Sequence, residues 1–269
     1  MKVQGKTIVV TGGGSGMGRE LVLLLLKKGA RVAAVDINET TLAETANLAG
    51  YDKQSLSTHV INIADREAVY ALPDAVMKAH GPVDGLINNA GIIQRFVRVK
   101  DLEQNEIERV FNVNFWGTLH MVKAFLPHLL RRPEAHIVNI SSMGSYLPVP
   151  GQTVYGASKA AVNALTDGLH SELMETTVRV TTVYPGAIAT NITVNSGVAM
   201  PADTVNTKRM AMKMTMAPDA ARMIVNGMEA NKYHVFVGQD AAFMGLLVRL
   251  APERAAKFIY SKMRELLPD

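Results

Sequence analysis

The sequence predicts an α/β fold, a single domain built on a doubly wound parallel sheet. Three observations predict it. Short β-branched runs alternate with longer helical stretches about seven times along the chain. The strand-like runs are apolar throughout, as expected where helices cover both faces of a sheet. No linker or low-complexity segment interrupts the 269 residues, a length that suits one large domain.

The elements follow in order. Thr7–Thr11 (TIVVT) is the first strand and Gly16–Lys28 the helix after it. Arg31–Asp36 (RVAAVD) is a strand, Glu39–Leu48 a helix and Thr58–Ile61 a short strand. Asp65–Ala79 is helical, Gly85–Ile87 a strand, and Ile107–Leu130 one or two helices. Ala135–Ile140 (AHIVNI) is a strand, Val154–Met174 a long helix and Val178–Val183 (VRVTTV) a strand. Ala217–Ala230 is a helix and His234–Val237 the last strand. A helical extension, residues 239–269, closes the chain. Gln239–Leu250 is strongly apolar, and Pro252 starts a second helix with Ala255, Ile259, Met263 and Leu266 on one face.

Composition removes several function classes. Apolar residues make up 48% and charged residues 19%, too apolar for a disordered chain. With no cysteine, disulfides, thiolate metal sites and cysteine nucleophiles are absent, and no metal is expected. The net charge is 28 − 24 = +4, but basic pairs such as Lys27/Lys28 and Arg131/Arg132 are short and scattered, so no nucleic-acid partner is expected. Thr181–Ala202 carries no charge, yet its two prolines and two glycines make it a poor spanning helix. Integral membrane insertion is not expected. Met1–Lys6 leads straight into the first strand with no signal peptide in view, and a cytoplasmic setting is expected.

The turn after the first strand reads TGGGSGMG from Thr11. Glycines allow a tight turn and let backbone amides approach a pyrophosphate, and the following helix adds partial positive charge. The G-x-G-x-x-G fingerprint does not fit, because Gly12 and Gly14 match its first positions but Met17 occupies the third. T-G-x-x-x-G-x-G does fit, with Thr11, Gly12, Gly16 and Gly18. Asp36 ends the second strand 18 residues after Gly18, where an acid would accept from the adenosine ribose hydroxyls and repel a 2′-phosphate. Ile37 follows it and Ser15 sits in the turn, so neither position offers a cation for that phosphate. The cofactor reading is NAD rather than NADP.

Tyr155 and Lys159 are four residues apart on a long helix, one above the other on one face. A tyrosine with a pKa near ~10 is a poor base at neutral pH, and a nearby ammonium favours its phenolate. Such a pair can exchange a proton with an alcohol or carbonyl oxygen. Alone, the spacing is a frequent accident and reads more readily as a half-buried tyrosine beside a solvated lysine.

Together with NNAG at 88–91, NVN ending at Asn114, ISS ending at Ser142, YGASK at 155–159 and PGAIAT at 185–190, the chain resembles the short-chain dehydrogenases/reductases over roughly residues 6–192. The separations fit as well, including 13 residues from Ser142 to Tyr155. The resemblance implies a seven-stranded Rossmann-type fold and a nicotinamide-dependent oxidoreductase acting on a secondary alcohol or ketone. It implies that Tyr155 is the general acid/base and that Lys159 binds the nicotinamide ribose and lowers the tyrosine pKa. Ser142 would hold the substrate oxygen. Asn114 would interrupt its helix and position a water. Gly12, Ser15, Gly16, Met17 and Gly18 would carry the pyrophosphate, and Asp36 and Ile37 the adenosine ribose. Asn62 and Ile63 sit at the adenine, with asparagine where the family usually has aspartate. Asn88 supports the sheet, and Asn89, Ala90 and Gly91 are counted on the cofactor side. Pro185, Gly186, Ile188 and Thr190 form the loop at the carboxamide.

Beyond Asn191 the resemblance thins. Thr193–Met216 holds Met200, Met210, Met212, Met214 and Met216, flexible side chains that suit either an adaptable lid over an apolar substrate or gap filling under a helix. The tail could cover the site mouth, meet another subunit, touch a membrane or close its own core. Phe115, Trp116 and Phe125 lie where the resembling family forms a four-helix contact, so a homodimer or homotetramer is expected. An epimerase on the same fold and a dinucleotide sensor are the competing readings. The retained Asn114, Ser142, Tyr155 and Lys159 argue against a sensor, which needs no proton relay.

Overall fold

Seven strands form the central sheet: β1 Thr7–Thr11, β2 Arg31–Asp36, β3 Leu56–Val60, β4 Gly85–Asn88, β5 Ala135–Ile140, β6 Val178–Pro185 and β7 His234–Val237. They are parallel, in the order β3-β2-β1-β4-β5-β6-β7. The computed structural model describes residues 1–50, 54–198, 214–264 and 267. Helices α1 Gly16–Lys27, α2 Glu39–Leu48, α3 Arg66–His80, α4 Gln104–Phe111, α5 Thr118–Leu129, α6 Thr153–Glu172 and α7 Ala217–Glu229 cover the faces. Helices α8 Gln239–Leu250 and α9 Pro252–Met263 form the C-terminal extension. No helix among the described residues is long and apolar enough to cross a membrane.

The strand order reverses between β1 and β4, which opens a crevice beyond their carboxyl ends. Register brings those ends level: Thr11 lies opposite Val35, Val10 opposite Ile87, and Asn88 opposite Asn139. The residues that follow each strand therefore meet on one edge.

Alternate strand residues enter two different cores. Val10, Ala34, Ile87 and Val138 pack with Leu21, Leu25, Ile224 and Val225 on one face. Val9, Val35, Leu86 and Ile137 pack with Val69, Met121, Phe125 and Leu129 on the other. Both faces are buried, which is why the strand sequences show no polar alternation.

The departures from expectation have local causes. β3 begins at Leu56, which pairs with Val32, two residues before the expected start. β6 runs on to Pro185, which pairs with Val237. The stretch 107–130 is neither one helix nor two simple ones: a π-helical segment, Asn112–Gly117, joins α4 to α5. Of the expected lid, residues 199–213, with Met200, Met210 and Met212, lie outside the described residues. Its ends are a short helix, Ile192–Asn195, and Thr215–Met216, which pairs in parallel with Ile188–Ala189. Met214 is 50% and Met216 56% exposed, so neither fills a gap beneath a helix. Ala255 and Ile259 are buried with Leu147 and Met244, and Met143, Tyr146 and Met263 pack on them. The extension therefore closes on its own domain, just after Ser142. Leu266, placed on the same stripe, lies outside the described residues.

Candidate active site

The glycine-rich turn fits a phosphate cradle in shape. Gly12 and Gly16 have positive φ, +69° and +51°. A Cβ on Gly12 would stand 2.8 Å from the Asn89 amide, and one on Gly18 would run into the Gly12 carbonyl. Ser15 occupies the N-cap of α1 without capping it, since its hydroxyl instead accepts from the Asn195 amide at 2.7 Å. The helix start thus keeps the donors and partial charge that attract an anion. Met17 packs partly buried against the core. Asn89 braces the turn from β4's end by donating to the Thr11 carbonyl at 3.0 Å, while the Thr11 hydroxyl accepts from the Asn89 and Ala90 N–H groups, both at 3.0 Å.

Asp36 stands at the same edge. Its carboxylate accepts from the Gly14 N–H at 2.9 Å and the Asn38 N–H at 3.0 Å. Ile37 beside it is 66% exposed, leaving an apolar surface rather than a cation next to the acid. Asn62 turns back to accept from the Ala64 N–H at 3.0 Å. Ile63 is buried beneath Gly117, so its side chain faces the protein. Asn88, buried in β4, donates to the Asn139 amide oxygen at 2.8 Å and so links β4 to β5 as a support for the sheet.

Tyr155 and Lys159 lie on α6, whose first turn abuts the segment after β5. Ser142, just after that strand, stands near enough to the Tyr155 phenol to favour its phenolate, and accepts from the Gly144 N–H at 3.0 Å. Lys159 is 4% exposed and donates to the Ile140 carbonyl at 2.9 Å. Gly91 holds open the space beside it: a Cβ there would sit 3.0 Å from the Lys159 Nζ and 3.3 Å from the Asn114 Oδ1. Asn114 is fully buried at the π-helical segment, exchanges two 2.9 Å hydrogen bonds with the Ile92 backbone, and donates to the Ser158 hydroxyl at 2.9 Å. Four separate segments of the chain therefore converge on one place.

Electrostatics correct one expectation. Burial holds Tyr155 above its usual value, opposed more weakly by nearby Ser142, rather than below it. Burial also pulls Lys159 down to about 8. On a rising pH scale the ammonium is lost before the phenol titrates, so its pull toward the phenolate acts below about pH 8 and is gone where the phenol itself titrates.

The loop after β6 crosses the glycine turn. The Gly186 N–H donates to the Val237 carbonyl at 2.9 Å, and the Ala187 N–H to the Asp240 carboxylate at 2.7 Å. Ile188 lies in the short parallel pairing, and Thr190 stands over Gly16. Pro185 is buried at the end of β6.

Four contributors escaped the sequence reading. Arg19 donates to the Gly14 carbonyl at 2.6 Å and to Glu44 at 2.6 Å, tying the turn to α2. Asp240 anchors the 185–190 loop, and Asn195 reaches the turn. Gln94, fully buried, accepts from the Tyr155 N–H at 2.9 Å. None belongs to a motif. Only a glycine turn followed by arginine gave any signal, for Arg19.

Comparisons with known proteins agree with this geometry. Residues 6–200 match the model of the short chain dehydrogenase family. The sequence is 37% identical to SadH of Mycobacterium tuberculosis, a protein named as an oxidoreductase, over 98% of each chain. A short chain dehydrogenase/reductase from Burkholderia phymatum, solved in complex with NAD, is 25% identical with a TM-score of 0.84, covering 94% of this chain and 96% of that one. A short chain dehydrogenase from Burkholderia cenocepacia, solved in complex with NADP, is 26% identical with a TM-score of 0.80, covering 96% of this chain and 99% of that one. With the parallel sheet, the glycine turn and the family match in agreement, this chain belongs to the short-chain dehydrogenase family of oxidoreductases.

Proposed function

We propose that the chain is an NAD-dependent dehydrogenase/reductase that interconverts a secondary alcohol and a ketone, with Tyr155 as general acid/base. The observation that carries this reading is the convergence of Ser142, Tyr155, Lys159 and Asn114 beside the space that Gly91 leaves open. When bound, the nicotinamide supplies the hydride acceptor for oxidation and the donor for reduction.

The chain's own residues supply the rest. The start of α1 takes the pyrophosphate, and Asp36 the adenosine ribose hydroxyls. Asp36 also repels a 2′-phosphate, and exposed Ile37 offers that group no partner, so NAD is preferred. Asn62 and the backbone of Ile63 border the adenine, and Ile188 and Thr190 the carboxamide. Ser142 holds the substrate oxygen. Tyr155 accepts the hydroxyl proton as the alcohol loses hydride, and returns it to the oxygen in the reverse direction. Lys159, with a pKa of about 8, is still mostly protonated at pH 7 and favours the phenolate. Exposed Val194, Met214 and Met216 flank the substrate side and suit an apolar alcohol or ketone. We also propose a homodimer or homotetramer, built on the helix face where Trp116 is 46% exposed.

The test is incubation with NAD and secondary alcohols of increasing chain length, followed at the NADH absorbance. Turnover should rise with chain length. Tyr155→Phe should lower it by roughly 10²–10⁴-fold while NAD still binds. Undiminished turnover in that variant would remove the proposed acid/base.

A further inference from the structure

The backbone of Tyr155 is gripped on both sides. Its carbonyl accepts from the Ser158 hydroxyl at 2.7 Å, and that hydroxyl in turn accepts from Asn114, which is bound to the Ile92 backbone. Its N–H donates to the Gln94 side-chain oxygen at 2.9 Å. Both grips lead back to one short segment, residues 92–94, that follows β4.

The second grip is unusual for a helix start. The Tyr155 N–H belongs to the first turn of α6, whose amides lack an intrahelical acceptor. The N-cap residue, Gln152, makes no capping bond. Its side chain instead donates to the Gln94 carbonyl at 2.7 Å. Gln94 thus caps α6 from 61 residues away. Its own amide nitrogen donates to the Gly151 carbonyl at 2.9 Å, so both ends of the side chain are engaged on the same helix start. The side chain is fully buried, in a setting where an unpaired amide is strongly disfavoured.

We propose that Gln94 is a positioning residue for Tyr155: its side-chain amide fixes the first turn of α6, and so the place of the phenol against Ser142 and Lys159. This rests on the acid/base reading of Tyr155 and adds a residue to it. A ring less firmly placed loses part of its approach to Ser142. Ser142 pulls the phenol's pKa down, so a looser approach moves the titration up.

The test uses Gln94→Met, which keeps the volume and removes both hydrogen bonds, and Gln94→Glu, which keeps an oxygen facing the Tyr155 N–H. Two readouts do not depend on turnover. One is amide hydrogen exchange at Tyr155. The other is the Tyr155 phenol titration, followed by NMR of ring-labelled tyrosine and assigned by difference with Tyr155→Phe. Gln94→Met should exchange Tyr155 at least about tenfold faster and shift the titration upward, with exchange in β1 and β4 unchanged. With an alcohol that the parent oxidises, kcat should fall about tenfold while KM and NAD affinity stay within about twofold. Gln94→Glu should restore most of each change, and serves alone against the parent if Gln94→Met does not fold. A folded Gln94→Met with parental exchange and titration overturns the proposal, as does a Gln94→Glu no closer to the parent than Gln94→Met. If Tyr155→Phe retains turnover, the acid/base reading fails, while exchange at Tyr155 still decides whether Gln94 holds the helix.

Discussion

Two helices begin at the edge of the same crevice, and they begin differently. At α1 the N-cap Ser15 makes no capping bond and the turn before it is glycine. At α6 the N-cap Gln152 makes none either, but Gln94 reaches in and takes the Tyr155 N–H at 2.9 Å. The first arrangement keeps donors and a positive end for something outside the chain. The second uses a donor to fix a side chain. A helix start near a cleft can thus serve as a receptor or as a mount, and the two uses compete for the same amides. That separation lets binding and proton transfer be perturbed one at a time.

The largest separable effect is expected at Lys159. The fall from 10.5 to about 8 corresponds to about 3 kcal/mol of unfavourable burial at ~1.4 kcal/mol per pH unit. Lys159→Met removes that burden and also the bond to the Ile140 carbonyl, so the free protein should gain about 2 kcal/mol at pH 7 while losing turnover. The sign follows from linkage. Below pH 8 the lysine is charged in both folded and unfolded chains, and only the folded one carries the burial penalty. As pH rises from about 8 to 10.5 the folded chain sheds its proton first, so the parent gains stability and the gap closes. Denaturant melts at pH 7 and pH 10 check it. A variant less stable than the parent at pH 7 would place the lysine in a less hostile setting than its burial indicates.

Ser15→Asp would give α1 a charged cap of its own. The comparison then predicts a loss of about 2 kcal/mol in NAD affinity, some ~30-fold, from repulsion of the pyrophosphate, with the free protein at least as stable as before. Unchanged affinity by titration calorimetry would show that the start of α1 is not the receptor. A smaller shift is expected at the far side of the turn. Asp36→Ala with Ile37→Arg should move the ratio of NAD to NADP affinity about tenfold toward NADP. No movement would mean that Asp36 does not meet the ribose.

Much of the scaffold could be read from residue order alone, because β1, β2 and β4 bury both faces and carry apolar runs to match. The glycines were legible because a Cβ at Gly12 or Gly18 has nowhere to go. The pairing of Tyr155 with Lys159 was legible from helical spacing. What escaped was whatever acts through backbone groups far along the chain. Gln94 meets Tyr155 through a peptide N–H, and Asp240 meets Ala187 the same way across 53 residues, so neither pair leaves a pattern of side-chain types. The direction of the Tyr155 shift also escaped, because it depends on how deeply the phenol and ammonium are buried. The π-helical turn at Asn112–Gly117 has no periodicity of its own and shows only in three dimensions.

Trp116 is the only tryptophan in the chain, and it stands half-exposed on that turn with Phe115 against its edge and His120 stacked 6.4 Å away. Its fluorescence is therefore a native reporter for a single patch of surface. A blue shift on concentration would register a neighbour arriving there, without any label.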